Sequence, residues 1–336
     1  MVLATLGVMA MVWALGGRLR WPRALVWSGM ALVYVAAAVF DVTLAEGNLA
    51  AWALIGGFAA CVGLYSAGLS RLKARAEPEV AAKPQGTFRE AELERYARHI
   101  VLRELGGAGQ KKLKGAKVLV IGAGGLGSPV LMYLAAAGVG TIGVIDDDTV
   151  DNSNLQRQVI HRDDMIGLPK VQSACEAMLA LNPYVEVRPY QRRLTAELAE
   201  SLFAEYDVIL DGTDNFETRY LSNAAAVAQG KPLISGALAQ WEGQLSVFHP
   251  AVSGPCYQCV FPEAPEAGLA PSCAAAGVVA PLPGVVGTMM ALEAVKLLTG
   301  AGHVTRGELL IYDGLYGESR KIKLAPRKDC PICQKG

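Results

Sequence analysis

A five-residue β-branched run, Lys117–Ile121 (KVLVI), opens directly onto Gly122-x-Gly124-x-x-Gly127, and nothing else in the chain restricts the fold so strongly. A short apolar run bounded by glycine reads as a buried strand. Residues 128–137 then show helical periodicity, with Pro129 in the first turn where its missing N–H costs nothing. A second apolar run, Thr141–Ile145, is closed by Asp146. Strand, glycine turn, helix, strand and acid in that order begin a doubly wound, mostly parallel α/β sheet of the Rossmann-like kind. Further strands are expected at 185–187, 207–210 and 232–235, separated by helices over 195–205 and 216–229. Beyond Gly243 the alternation breaks, and the chain reads as a strand at 244–248, a Cys- and Pro-rich stretch, a helix at 287–298, and strands at 309–312 and 321–324.

The glycine spacing suits a nucleotide, because it supplies a tight turn, close backbone approach to phosphate, and helix–strand packing. Asp146 lies 21 residues after Gly125, placed to accept hydrogen bonds from ribose hydroxyls. NAD fits this pattern as well as ATP does, and no Gly-x-x-x-x-Gly-Lys-Ser/Thr element is present. Residues 146–158 (DDDTVDNSNLQRQ) put amides and the Arg157 guanidinium just past the ribose position, and Lys170 follows on the next helix. Cations there suit pyrophosphate release, although a polar surface loop would look the same. The strand at 207–210 runs into Asp211-Gly-Thr-Asp214-Asn215, at the carboxyl edge where open parallel sheets bind ligands. An acid there suits Mg²⁺, and either Asp214 or Asn215 suits the N-cap of the helix that follows.

The N-terminal part is different material. In residues 1–70, 49 are of the set AVILMFWYC, whereas the other 266 residues come to about 47%, ordinary for a globular domain. Uncharged apolar stretches at 1–17, 24–40 and 47–70 are expected to form about three transmembrane helices. Arg18, Arg20 and Arg23 follow the first stretch and Arg71, Lys73 and Arg75 the third, while Asp41 and Glu46 separate the second and third. The positive-inside rule then puts residues after 75 in the cytoplasm, beneath a multi-pass cell-membrane anchor. The expected organisation is an anchor at 1–75, a Pro-containing linker at 76–86, and one chemical unit at 87–336. The 31 basic and 31 acidic residues of the whole chain hide a +4 anchor and a −4 remainder, a balance unlike that of a nucleic-acid binder.

Taken together, the segments RYARHI (95–100), GAGGLGS, DDDTVDNSNLQRQ, DGTDNFETRY, PSCAAAGVVAPLPGVVG and the terminal CPIC resemble the MoeB/ThiF/HesA branch of the ubiquitin-activating enzyme superfamily over nearly all of residues 87–336. That resemblance implies ATP- and Mg²⁺-dependent adenylation of the C-terminal glycine carboxylate of a small ubiquitin-like sulfur-carrier protein, most like the molybdopterin-synthase type. The thiamine-pathway and cysteine-pathway carriers stay open as alternatives. Carried over by position, Gly125, Asp146, Ser153, Asn154, Arg157, Lys170, Asp214 and Asn215 would line ATP. Arg98 would reach the neighbouring subunit of a homodimer. Cys273 matches a cysteine that can link covalently to the carrier. With no sulfur-transfer domain after Cys333, a separate sulfur donor protein is expected.

Cys256-x-x-Cys259 and Cys330-x-x-Cys333 offer four thiolates at a spacing that suits tetrahedral Zn²⁺, and the family has a matching site. Redox pairs are the alternative. Two other functions compete with adenylation: a membrane-tethered nucleotide-sensing scaffold without turnover, and an NAD-dependent oxidoreductase, which rests on the glycine motif alone.

Overall fold

Alternation of side chains along the central strand decides how the layers stack, because each strand residue must find apolar cover on its own face. The computed structural model describes residues 87–265 and 276–334, with five isolated positions before residue 70. The chain divides into two compact units, Met1–Lys83 and Pro84–Gly336. The expected membrane helices of residues 1–75 and the linker at 76–86 otherwise lie outside the described residues.

In chain order the elements are α1 (Glu90–Ile100), α2 (Gly106–Gly115), β1 (Lys117–Ile121), α3 (Gly127–Ala137), β2 (Thr141–Ile145), α4 (Lys170–Leu181), β3 (Glu186–Tyr190), α5 (Ala196–Ala204), β4 (Val208–Asp211), α6 (Phe216–Ala228), β5 (Leu233–Ala239), β6 (Glu242–Phe248), α7 (Tyr257–Val260), α8 (Pro281–Thr299), β7 (Glu308–Asp313) and β8 (Glu318–Lys323). The strands form one sheet in the order β3-β2-β1-β4-β5-β6-β7-β8. Strands β1 to β5 pair in parallel. From β5 onward the sheet is an antiparallel meander, as the break in alternation after Gly243 foretells.

On β1, Val118 and Val120 belong to one apolar cluster with Leu131 and Leu134 of α3 and Val286 and Met290 of α8. Leu119 and Ile121 belong to the other, with Phe203 of α5 and Ala226 of α6. All four β1 side chains are at most 2% exposed. Each such burial is worth roughly 1.5–3 kcal/mol, so this strand anchors both layers.

Helix α8 starts six residues earlier than the expected 287–298, because Pro281 and Pro283 fill the first turn, where proline is at home. It is the one helix among the described residues long and apolar enough to cross a membrane, yet half of that stretch is buried. Its packing on α3, β5 and β6 makes it a core helix. Helices α1 and α2 have no counterpart in the sequence reading. Asn182 pins α1 in place, donating from Nδ2 to Tyr96 Oη at 2.8 Å and to the Ala135 carbonyl at 2.7 Å.

Candidate nucleotide-binding cleft and four-cysteine centre

Ile121, the last residue of β1, is level with Ile145 of β2 on one side and Asp211 of β4 on the other. Strand order reverses here, so the chains leaving β1 and β4 diverge and leave a crevice. Gly122 turns out of the strand at φ +92°, in the left-handed region, and its N–H donates to the Ile145 carbonyl at 2.9 Å. A Cβ on Gly127 would lie 1.9 Å from the Gly122 oxygen, so the third glycine lets the helix close onto the turn. A Cβ on Gly124 would meet only Gln158 Nε2, at 3.6 Å, and Gly125 lies beneath Pro283 of α8 and the Arg157 stem. Asp146 closes the loop from the next strand: Oδ2 accepts from the Ala123 N–H at 2.7 Å, and Oδ1 from the Asp148 N–H at 2.9 Å.

The resulting cleft has a volume of about 1160 Å³, and Gly122, Gly124, Gly125, Asp146, Asn154, Arg157, Lys170, Asp214 and Asn215 all line it. Nine residues singled out from the sequence therefore come together. Gly127 has the packing role just described and is not part of the wall. Ser153 also stands off the wall; its hydroxyl donates to Asp151 Oδ1 at 2.5 Å, and its carbonyl accepts from Arg157 Nη1 at 3.3 Å. Arg157 Nη2 donates to Asn154 Oδ1 at 2.9 Å, which aims the guanidinium along the cleft. Lys170 opens α4 and is 5% exposed, and Nζ pairs with Asp148 Oδ2 at 2.7 Å. A buried ammonium requires such a partner. Asn215 caps α6, its Oδ1 accepting from the Thr218 N–H at 2.8 Å, so the capping role belongs to Asn215 and Asp214 stays exposed on the cleft wall. Arg98 is exposed on α1, away from this wall. Cys273 lies outside the described residues.

Residues that sequence reading did not single out hold the wall in place. His161 is buried, with Nε2 donating to the Ala123 carbonyl and Nδ1 accepting from the Ser173 hydroxyl, both at 2.9 Å. Burial holds the His161 imidazole below its usual pKa, against the opposing pull of the Ala123 carbonyl. It joins the glycine turn to α4 in neutral form. Arg219, on the first turns of α6, is 6% exposed and donates to the Thr213 carbonyl, to the Gly236 carbonyl at 2.8 Å and to Ser235 Oγ at 3.2 Å. It clamps the Asp214 loop to β5. Neither residue carries a sequence signal for its role, because the β5 partners of Arg219 lie 16 and 17 residues away and those of His161 lie 12 and 38 residues away.

The four cysteines gather at the far end of α6. Sγ separations are 3.9 Å for Cys256 and Cys259, 3.6 Å for Cys256 and Cys330, and 3.3 Å for Cys259 and Cys333. A tetrahedral ion with Zn–S near 2.3 Å places its sulfurs about 3.8 Å apart, whereas a disulfide holds them at about 2.0 Å. The donor set therefore fits zinc. Burial pushes the Cys330 thiol up, but backbone N–H groups of Cys333 and Ile332 and the adjacent thiols overcome it and bring it down to about 7.

Comparison with known proteins gives a consistent picture. Residues 96–332 match the model of the ThiF family. The "Sulfur carrier protein adenylyltransferase" of Thermus thermophilus is 50% identical over 246 residues, covering 72% of this chain and 91% of its own. The "Probable adenylyltransferase/sulfurtransferase MoeZ" of Mycobacterium tuberculosis is 50% identical over 250 residues, 74% of this chain and 63% of its own. Among solved structures, E. coli MccB with AMPCPP and MccA shares the fold at a TM-score of 0.64 and 22% identity, covering 74% of this chain and 76% of that one.

Proposed function

Because the chain belongs to the ThiF family, we propose that its cleft transfers AMP from ATP to the C-terminal glycine carboxylate of a small ubiquitin-like sulfur-carrier protein and releases pyrophosphate. The observation that carries this reading is the convergence of Gly124, Gly125, Asp146, Asn154, Arg157, Lys170 and Asp214 on one crevice at the switch point. A carrier carboxylate oxygen bonds to the α-phosphorus. The bond from that phosphorus to the α,β-bridging oxygen breaks, and pyrophosphate leaves with the electron pair. A glycine carboxylate is already ionised at neutral pH, so the step needs no general base. What it needs is placed positive charge: Arg157 and Lys170 stabilise the charge that grows on the leaving phosphates. Bound Mg²⁺ supplies further charge there, and the Asp214 carboxylate is an oxygen ligand of the kind it takes. Zn²⁺ held by the four thiols would staple the residues around Cys330 and Cys333 to the turn at Cys256–Cys259. Cys273 is the residue placed by resemblance for a covalent link to the carrier.

In this reading the enzyme is a homodimer in which Arg98, exposed on α1, reaches the neighbouring subunit's cleft. The carrier is of the molybdopterin-synthase type, and a separate protein donates the sulfur. Residues 1–75 anchor the enzyme as a multi-pass protein in the cell membrane, with residues 87–336 in the cytoplasm; the high apolar content and loop charges of that segment support this.

Pyrophosphate exchange into ATP is expected only when a carrier is present, and a panel of molybdopterin, thiamine and cysteine-pathway carriers identifies which. Arg157→Ala and Asp214→Ala should each slow exchange by ~100-fold or more. Undiminished exchange in both would remove this site assignment. Full-length protein should stay with membranes through a carbonate wash, and its release would refute the anchor.

A further inference from the structure

Asn223 sits on α6 one helical turn beyond Arg219 and is fully buried. Its Oδ1 accepts the Tyr257 N–H at 2.9 Å, which sets the amide against the residue that follows Cys256. Its Nδ2 is buried with no hydrogen-bond partner. An orphaned amide donor in an interior costs about 1–3 kcal/mol, so its position calls for an acceptor. Cys256 is itself 0% exposed and directly precedes Tyr257, whose N–H holds the other end of the same amide. A thiol offers such a donor little, whereas a metal-bound thiolate is a charged acceptor.

We propose that Asn223 is an outer-shell residue of the four-cysteine centre, donating from Nδ2 to the metal-bound Cys256 thiolate while Oδ1 holds the Tyr257 N–H. The inference rests on reading the four thiols as a zinc site. Outer-shell donors of this kind fix the orientation of a ligand and tune its basicity. Here the same side chain also grips Tyr257, whose ring lines the nucleotide cleft and packs 5.5 Å from Tyr220 and 4.8 Å from Phe261. Arg219 and Asn223, four residues apart, lie on the same face of α6. One helix face therefore carries the clamp of the Asp214 loop at one turn and the support of the zinc ligand at the next.

The test uses full-length protein loaded with Zn²⁺, and with Co²⁺ as a spectroscopic probe. Asn223→Ala removes both hydrogen bonds, and Asn223→Asp keeps the acceptor for Tyr257 but loses the donor. In each, zinc affinity measured against a competing chelator is expected to fall by ~10–100-fold. The thiolate-to-cobalt charge-transfer band should also move to lower energy, because a sulfur that loses a donor holds its lone pairs less tightly. A role confined to Tyr257 would leave Asn223→Asp at wild-type affinity with an unmoved band, and that result overturns the proposal. Should the alanine variant fail to fold, the aspartate variant decides alone. Wild-type protein that takes up neither metal would refute the zinc reading itself, and this inference with it.

Discussion

Two glycines three residues apart should fail in opposite ways when each is changed to alanine. At Gly127 the new methyl would stand 1.9 Å from the Gly122 oxygen and 2.8 Å from the Gly122 carbonyl carbon, both backbone atoms that cannot swing aside. Relief requires α3 and the turn to separate by more than an ångström inside a core where Val130, Leu131 and Leu134 are 0% exposed. Overpacking of this kind costs about 1–3 kcal/mol or more. For a domain of this size each kcal/mol lowers Tm by roughly 2–4 °C, so Gly127→Ala should melt about 2–12 °C earlier. At Gly124 the only neighbour within 4 Å is Gln158 Nε2, at 3.6 Å, and the backbone is not in the left-handed region. Gly124→Ala should therefore keep its Tm within about 2 °C, a surface-like change of under ~0.5 kcal/mol. Its methyl would stand where phosphate approaches, so ATP affinity should fall by at least ~10-fold. Thermal scanning with and without ATP, and calorimetric titration of both variants, separates the effects. The reasoning is refuted if Gly127→Ala melts at the wild-type temperature, or if Gly124→Ala binds ATP normally.

Three further outcomes follow from the same geometry. Lys170→Ala should lower carrier-dependent exchange by about 10²–10³-fold, read in the pyrophosphate assay, because it removes a positioned charge from the leaving phosphates. Burial holds His161 below its ordinary pKa, so the unfolded chain takes the proton first. Its contribution to stability is complete above about pH 6.5 and is lost as pH falls below that value, with a slope of no more than about 1.4 kcal/mol per pH unit. Denaturant titrations of wild type and His161→Gln between pH 5 and 7 should differ in slope, and parallel curves would count against it. Stripping zinc with a chelator should lower Tm and raise protease cutting near residues 256 and 330, and both should recover on adding Zn²⁺ back.

The half of the fold built from local signals was legible, and the half built from distant contacts was not. Lys117–Ile121, the glycine turn and Asp146 carry their structure in spacing alone, and nine of the residues read from sequence share one wall. Helix α2 (GGAGQKKLKG) went unread because its glycines argue against a helix; tertiary packing of Leu113 and Gln110 overrides that preference. Sequence alone starts α8 late, because two prolines look like a boundary from inside a helix and like a first turn from outside it. His161, Arg219 and Asn223 act through partners that only the folded chain brings near. No periodicity announces them.

The pairing of Lys170 with Asp148 changes how the cleft can tell its ligands apart. The ammonium is almost wholly buried, while the Asp148 side chain is 68% exposed, so the lysine has an internal anion to return to and that anion faces water. A triphosphate must outcompete a resident carboxylate for the same cation. When pyrophosphate leaves, the same carboxylate is at hand to take the cation back. The cleft thus behaves as an exchanger of counter-ions, in which Lys170 passes between an internal carboxylate and the phosphates of its ligand.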